Sequence, residues 1–210
     1  MAITVPGARP AVVTIDLHRG HLDPTVATMP LSSQAAARVV DNNRRFLEAA
    51  RQAGLPVVHV VTRYRDPSES LSNPFWADLA DTDASRSNVR RHQMEPTAGT
   101  ELMPGLYEPD HDIVVDTKKR YDCFLGTDLG FVLDSAGVDT VLLTGVNTNS
   151  CVLTTAAVAS TRDYATVVVS DCVDSMDGPE LHEAALRCVR QAFGWVLSSH
   201  EALTAVGAAG

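Results

Sequence analysis

Short apolar, β-branched runs recur along the chain at residues 11–15, 57–62, 112–115, 140–144 and 166–170, and the intervals between them carry helical patterns. Continuous apolar runs of this length suit strands buried on both faces of a sheet. The first helix spans about residues 33–53, with Val39, Phe46, Leu47 and Ala50 on one face and Arg44, Arg45, Glu48 and Arg51 mostly on the other; Gly54-Leu-Pro56 stops it. A second begins near Thr127 or Asp128, presents Leu129, Val132, Leu133 and Ala136, and ends at Gly137. The last long helix opens with Pro179 in its first turn and packs Leu181, Ala184, Ala185, Cys188 and Ala192 before Gly194, after which residues 195–197 add a short strand. The rhythm predicts an α/β fold: a mostly parallel sheet of about six strands between two helical layers, in a single domain over residues 1–210.

Residues 63–110 break the rhythm. They hold prolines, Trp76 and charges without strong periodicity, and a connection this long inside one domain marks a functional loop, an interface, or both.

Composition narrows the chemistry. The 210 residues are 45% hydrophobic and 20% charged, enough for a full core. The net charge of -9 gives no electrostatic support for a nucleic acid or an anionic membrane as partner, so a small molecule is the expected ligand. No segment has the ~18 apolar residues of a membrane span, and the first ten residues lack a basic stretch ahead of an apolar one, so a cytoplasmic location is expected. The four cysteines, Cys123, Cys151, Cys172 and Cys188, form no C-x-x-C pair and no His/Cys ligand spacing, which argues against structural zinc and a redox dithiol.

The stretch Asp139-Thr-Val-Leu-Leu-Thr-Gly-Val-Asn-Thr-Asn-Ser-Cys151 reads as a buried strand, a tight polar turn and a helix opening on a cysteine. A helix N-terminus favours thiolate, the nucleophilic form, whereas an inert core thiol is the plain alternative. In an open parallel sheet, reactive residues gather beyond the carboxyl ends of the strands. Asp16 and Lys118 meet that condition beside Cys151, although alone Asp16 could cap a turn and Lys118 could be one of the solvated charges in Lys118-Lys-Arg120. Together they supply a base, a cation and a nucleophile. A charge pair at ~4 Å is worth on the order of 4 kcal/mol before desolvation, enough to lower a thiol pKa. Backbone N–H groups of the turn at 146–151 are the source of oxyanion donors. Arg63, Arg90 and Arg91 could grip a substrate carboxylate or stay solvated, and Tyr64, Phe75, Trp76 and Tyr121 could line a flat pocket or an oligomer interface.

These residues resemble the isochorismatase-like cysteine hydrolases, the group that includes nicotinamidases, N-carbamoylsarcosine amidohydrolase, and biuret and ureidoacrylate hydrolases. The likeness runs through Val12-Val-Thr-Ile-Asp16-Leu, Ala49-Ala-Arg-Gln-Ala-Gly-Leu-Pro-Val57-Val, Lys118-Lys-Arg-Tyr121-Asp-Cys-Phe124, Gly145-Val-Asn-Thr-Asn-Ser-Cys151-Val and Val168-Val-Ser-Asp171. The resemblance implies Asp16 as general base, Cys151 as nucleophile, Lys118 rather than Lys119 as the family lysine, and a cis peptide at Val146–Asn147 that turns the N–H groups of Asn147 and Cys151 into an oxyanion hole. It implies the isochorismatase-like hydrolase fold and a homo-oligomer. Nicotinamidases carry an Asp/His metal site after the second strand, and the matching stretch around His59, Arg63, Tyr64 and Asp66 lacks that cluster, so neither a metal nor a cofactor is expected. The intact Asp, Lys and Cys set points to hydrolysis of a C–N bond in a small amide, carbamoyl or ureido compound. The alternatives are isochorismatase-type vinyl-ether hydrolysis, which needs no thiol, and a silent binding protein on the same scaffold.

Overall fold

All the apolar runs form strands, and they join in one six-stranded sheet in a computed structural model that describes residues 7–208. Residues 1–6, which carry most of the leader reading, lie outside that range. In chain order the elements are β1 (Pro10–Ile15), α1 (Arg19–Leu22), α2 (Ser33–Gln52), β2 (Val57–Thr62), α3 (Pro67–Leu71), α4 (Pro74–Leu79), β3 (Ile113–Lys118), α5 (Leu129–Ser135), β4 (Thr140–Val146), α6 (Leu153–Thr161), β5 (Ala165–Asp174), α7 (Pro179–Cys188), β6 (Trp195–Leu197) and α8 (Ser199–Ala205). Every strand pairing is parallel, in the order β3-β2-β1-β4-β5-β6.

Strand side chains alternate between two apolar layers. Val12, Val57, Leu142 and Val167 pack with Val39, Phe46 and Leu47 of α2 and with Ala202 and Leu203 of α8. Val13, Val58, Leu143 and Val168 face the other way, onto Leu129 and Leu133 of α5, Ala156 and Ala159 of α6 and Leu186 of α7. This is the expected three-layer arrangement. The chain works outward from β1 to β3 on one side and from β4 to β6 on the other, so the order reverses between β1 and β4. A crevice opens at the carboxyl ends of strands at such a reversal. At that point Gly145 has φ +105°, which turns its Cβ position toward β1: a Cβ built on it would stand 1.9 Å from the Ile15 carbonyl oxygen.

Four details differ from expectation. On α7 the buried stripe is Ala185 and Leu186, continuing to Val189, whereas Leu181, Ala184, Cys188 and Ala192 of the expected face are exposed, because the helix turns its 185/186/189 side to the sheet. The helix expected to open on Cys151 begins at Leu153, and Cys151 sits inside a wide π-helical turn, Thr148–Val152. The fifth strand extends to Asp174 because a register irregularity between Leu143 and Gly145 lets it continue beside β4. Within 63–110, α3 and α4 are each only five or six residues long, too short for periodicity to show; Asp66 and Asn73 cap them, each followed by a proline at the first helical position.

Candidate active site

Asp16 directly follows β1 with a left-handed φ of 53°, held by its own N–H donating to the Val60 carbonyl at 2.9 Å. That backbone turn carries the carboxylate across the ends of β1 and β2. Oδ1 accepts from the Thr62 N–H at 3.1 Å and the Thr62 hydroxyl at 2.8 Å, while Oδ2 accepts from Lys118 Nζ at 2.5 Å. Lys118 is the last residue of β3, two strands away, and its length is what lets it reach this point. Its three N–H groups go to Asp16, to Thr62 Oγ1 at 2.7 Å and to Cys151 Sγ at 3.3 Å. Asp16, Lys118 and Cys151 are all buried.

Electrostatics fix the resting protonation. Burial opposes the Asp16 charge, but Lys118 and its hydrogen bond outweigh that and hold the carboxyl well below the usual range. Burial likewise opposes the Lys118 charge, and the attraction of Asp16 lifts its pKa well above that of a free lysine. The Cys151 thiol is pushed up to about 12, first by burial and then by the Asp16 anion, against the pull of Lys118. The expectation of a ready thiolate is therefore corrected. With the thiol buried in the same cluster as the carboxylate, one lysine does not offset both effects, and the trio rests as carboxylate, ammonium and neutral thiol.

These groups form the floor of a pocket enclosing about 450 Å³ out to its mouth. Asn147 adjoins them, after a cis peptide at Val146–Asn147. The walls include Tyr64, whose hydroxyl donates to the Lys119 carbonyl, and Trp76 packed on Tyr121 at 5.1 Å between ring centroids. On the opposite side, His21 and His92 meet at 3.2 Å between Nε2 atoms. His21 Nδ1 must donate to the Met29 carbonyl, so its Nε2 is bare and accepts from His92, whose Nδ1 accepts from the Thr28 hydroxyl. That pattern requires neutral rings, and burial lowers the pKa of both. Among the described residues, no three His, Cys, Asp or Glu side chains converge as metal ligands.

The family model of the Isochorismatase domain matches residues 10–201. The chain belongs to the isochorismatase family. It is 30% identical over 198 residues to a maleamate amidohydrolase of Pseudomonas putida, covering 94% of this chain and 86% of that one. It is 31% identical over 168 residues to a ureidoacrylate amidohydrolase of Methylorubrum extorquens, covering 77% and 67%. Among solved structures, a cysteine hydrolase from Pseudomonas syringae superposes with a TM-score of 0.82 at 25% identity, over 96% of this chain and 94% of that one. An N-carbamoylsarcosine amidase from Thermoplasma acidophilum superposes with a TM-score of 0.70 at 29% identity, over 91% and 96%. The chain is thus a hydrolase of the isochorismatase family, and no helix among its described residues is long and apolar enough to cross a membrane.

Within this isochorismatase-family pocket, the sequence-derived candidates divide. Asp16, Lys118, Cys151, Asn147, Tyr64, Trp76 and Tyr121 all line it. Arg63 does not: at the strand end Tyr64 turns inward and Arg63 outward, to Asp116 at 3.2 Å and Glu95 at 3.7 Å. Arg90 pairs with Asp81 on the surface, Arg91 bonds Asn88, and Phe75 is 66% exposed. Lys119 leaves the site for the Arg63 carbonyl and Glu69. The arginines that do reach the pocket are Arg86 and Arg120, joined by the two histidines. Nothing in the local pattern around Arg86 shows which way it points, and His21 and His92, 71 residues apart, meet only through the fold.

Proposed function

We propose that this enzyme hydrolyses the C–N bond of a small amide, carbamoyl or ureido compound, releasing ammonia through a Cys151 thioester. The reading is carried by one observation: Lys118 Nζ contacts both the Asp16 carboxylate and the Cys151 sulfur at the floor of one pocket. Lys118, already an ammonium with its three hydrogens committed, cannot take the thiol proton, which leaves Asp16 as the base in the cluster. As Sγ bonds to the substrate carbonyl carbon, the proton passes to Asp16 and the carbonyl oxygen becomes an oxyanion between the N–H groups of Asn147 and Cys151. Asp16 then gives the proton to the leaving nitrogen, the C–N bond breaks, and ammonia departs. Water attacks the thioester, passing its proton to Asp16, and collapse of the second oxyanion releases the acid and returns the proton to sulfur. A neutral thiol near pKa 12 suits this order, since proton transfer accompanies attack instead of preceding it.

An ammonia-release screen over small amides, carbamoyl amino acids and ureides tests the reading, with Cys151→Ala as control. Wild type should release ammonia and form a hydroxylamine-sensitive acyl adduct visible by intact mass. The variant should do neither while keeping its circular dichroism spectrum. Full turnover by Cys151→Ala would remove the thiol from the mechanism and favour chemistry that needs only the carboxylate.

A further inference from the structure

We infer that Arg86 is an anion clamp, so that the amide or ureido compound taken by this pocket carries a carboxylate remote from the scissile carbonyl; the inference rests on the amidohydrolase reading above. The protein as a whole is acidic, at a net charge of -9, yet the pocket is not. Its lining has one carboxylate, Asp16, against three cations, Lys118, Arg86 and Arg120, and its two histidines are held neutral by their shared hydrogen bond. Lys118 is matched by Asp16 inside the pocket, whereas the partner of Arg86, Asp177, lies outside the lining and leaves Arg86 donors uncommitted toward a ligand.

Arg86 is the one built for it. Its side chain is only 15% exposed, and its guanidinium lies 5.7 Å from the Tyr121 ring centroid. Nη2 donates to Asp177 and stands 3.4 Å from the hydroxyl of Ser150, the residue next to the nucleophile. Nε and Nη1 have no partner among the described residues; they point to different sides of the guanidinium, so each offers a carboxylate one charge-assisted hydrogen bond while Nη2 is held by Asp177. Arg120, by contrast, spends both Nη groups on the Glu69 and Lys119 carbonyls and the Ser72 hydroxyl, with its face on Trp76. It adds positive potential without a free Nη group. Asp177 lies behind Arg86, outside the pocket lining, and also accepts from Asn149 Nδ2 at 2.8 Å and the Ser85 hydroxyl at 3.1 Å. Asn149 belongs to the nucleophile turn. Asp177 is therefore a positioning residue, fixing the clamp relative to Cys151.

The test compares kcat/KM on matched pairs: half-amides of short dicarboxylic acids and N-carbamoyl amino acids, each against its uncharged carboxamide. Wild type should prefer the acid. Arg86→Gln should lower kcat/KM on the acid by about 10- to 100-fold, mainly through KM, while leaving the uncharged member within about threefold. Arg86→Lys, which keeps the charge without the two directed N–H donors, should restore part of the loss. Asp177→Asn should raise KM for the acid alone, and surface Arg90→Gln should change nothing. Equal use of both members by wild type, or equal loss on both in Arg86→Gln, would overturn the clamp and leave the amidohydrolase reading standing. Hydrolysis of neither member would defeat that reading instead. Calorimetric binding of a short dicarboxylate to wild type and Arg86→Gln then judges the clamp alone: weaker binding to the variant supports it and equal affinity overturns it.

Discussion

At Cys151, two neighbours act on one proton in opposite senses. The Asp16 anion and burial raise the thiol pKa, while Lys118 lowers it. Replacing Asp16 with Asn removes the charge that raises the pKa and leaves the ammonium in place, so the thiol pKa should fall below its present value of about 12. The variant should be alkylated by iodoacetamide faster than wild type at pH 8, yet turn over 10²- to 10⁴-fold more slowly for want of a proton carrier. Unchanged alkylation together with retained turnover would take Asp16 out of the chemistry. The same balance explains how much of the site was legible. Asp16, Lys118 and Cys151 could be singled out because each lies just past or at the end of a readable strand, and topology then brings those ends together. The thiol's ionisation state was not legible, since it depends on burial and on a neighbour 135 residues away in the chain. Which arginine reaches the pocket was not legible for a related reason: in an irregular loop no period tells an inward residue such as Arg86 from an outward one such as Arg63.

The elements hold this site through contacts that an added side chain would break. β1 and β4 pair from Pro10↔Thr140 to Ile15↔Gly145, and Asp16 and the nucleophile turn leave from adjacent ends of that ladder. A methyl group at Gly145 would meet the Ile15 carbonyl at 1.9 Å, from a φ that L-residues rarely adopt. Gly145→Ala should therefore destabilise the fold by roughly 3 kcal/mol or more and cut turnover, because the two strand ends must part. Chemical denaturation and activity assays check both effects, and a wild-type urea midpoint in the variant would show that the strands do not approach as described. Strands of this kind were legible because both faces are buried, leaving uninterrupted β-branched runs. The extension of β5 was hidden by Asp171 and Asp174, which read as a loop but find partners in Ser199 and Arg38. α8 is marked locally instead: Ser198 and Glu201 form a reciprocal capping box, an S-x-x-E pattern carried by the sequence itself.

Across the whole molecule, the imidazoles near the pocket couple its integrity to pH. His18 is buried beside Asp16, accepts from the Thr62 N–H, and is held down to about 3, chiefly by burial against the attraction of Asp16. His21 and His92 are lowered by burial as well, with His21, His18, Lys118 and Arg86 among the cationic or potentially cationic groups that face them. All three bind protons more readily in the unfolded chain, near the ordinary value of ~6.5, so stability is fully present above that pH and falls as pH drops below it. For His18 the window extends to about pH 3, the slope within it approaches ~1.4 kcal/mol per pH unit, and between pH 6.5 and 5 it accounts for on the order of 2 kcal/mol; His21 and His92 add to the fall in the same direction. Asp16 works in a different window. Its carboxyl is lowered in the fold, so its contribution is present above ~4 and is lost only as pH falls further. Lys118 is raised, so its contribution is complete below ~10 and is lost only at higher pH. Urea denaturation should accordingly give a nearly flat midpoint from pH 7 to about 8 and a decline from 6.5 to 5, with at least about one proton taken up on unfolding at pH 5, well above the range in which Asp16 titrates; above about 8.5 the raised Cys151 thiol adds a separate loss. A midpoint equal at pH 7 and pH 5 would mean that these rings are already charged in the folded protein, and the hydrogen-bonded His21–His92 wall of the pocket could not then exist as a neutral pair.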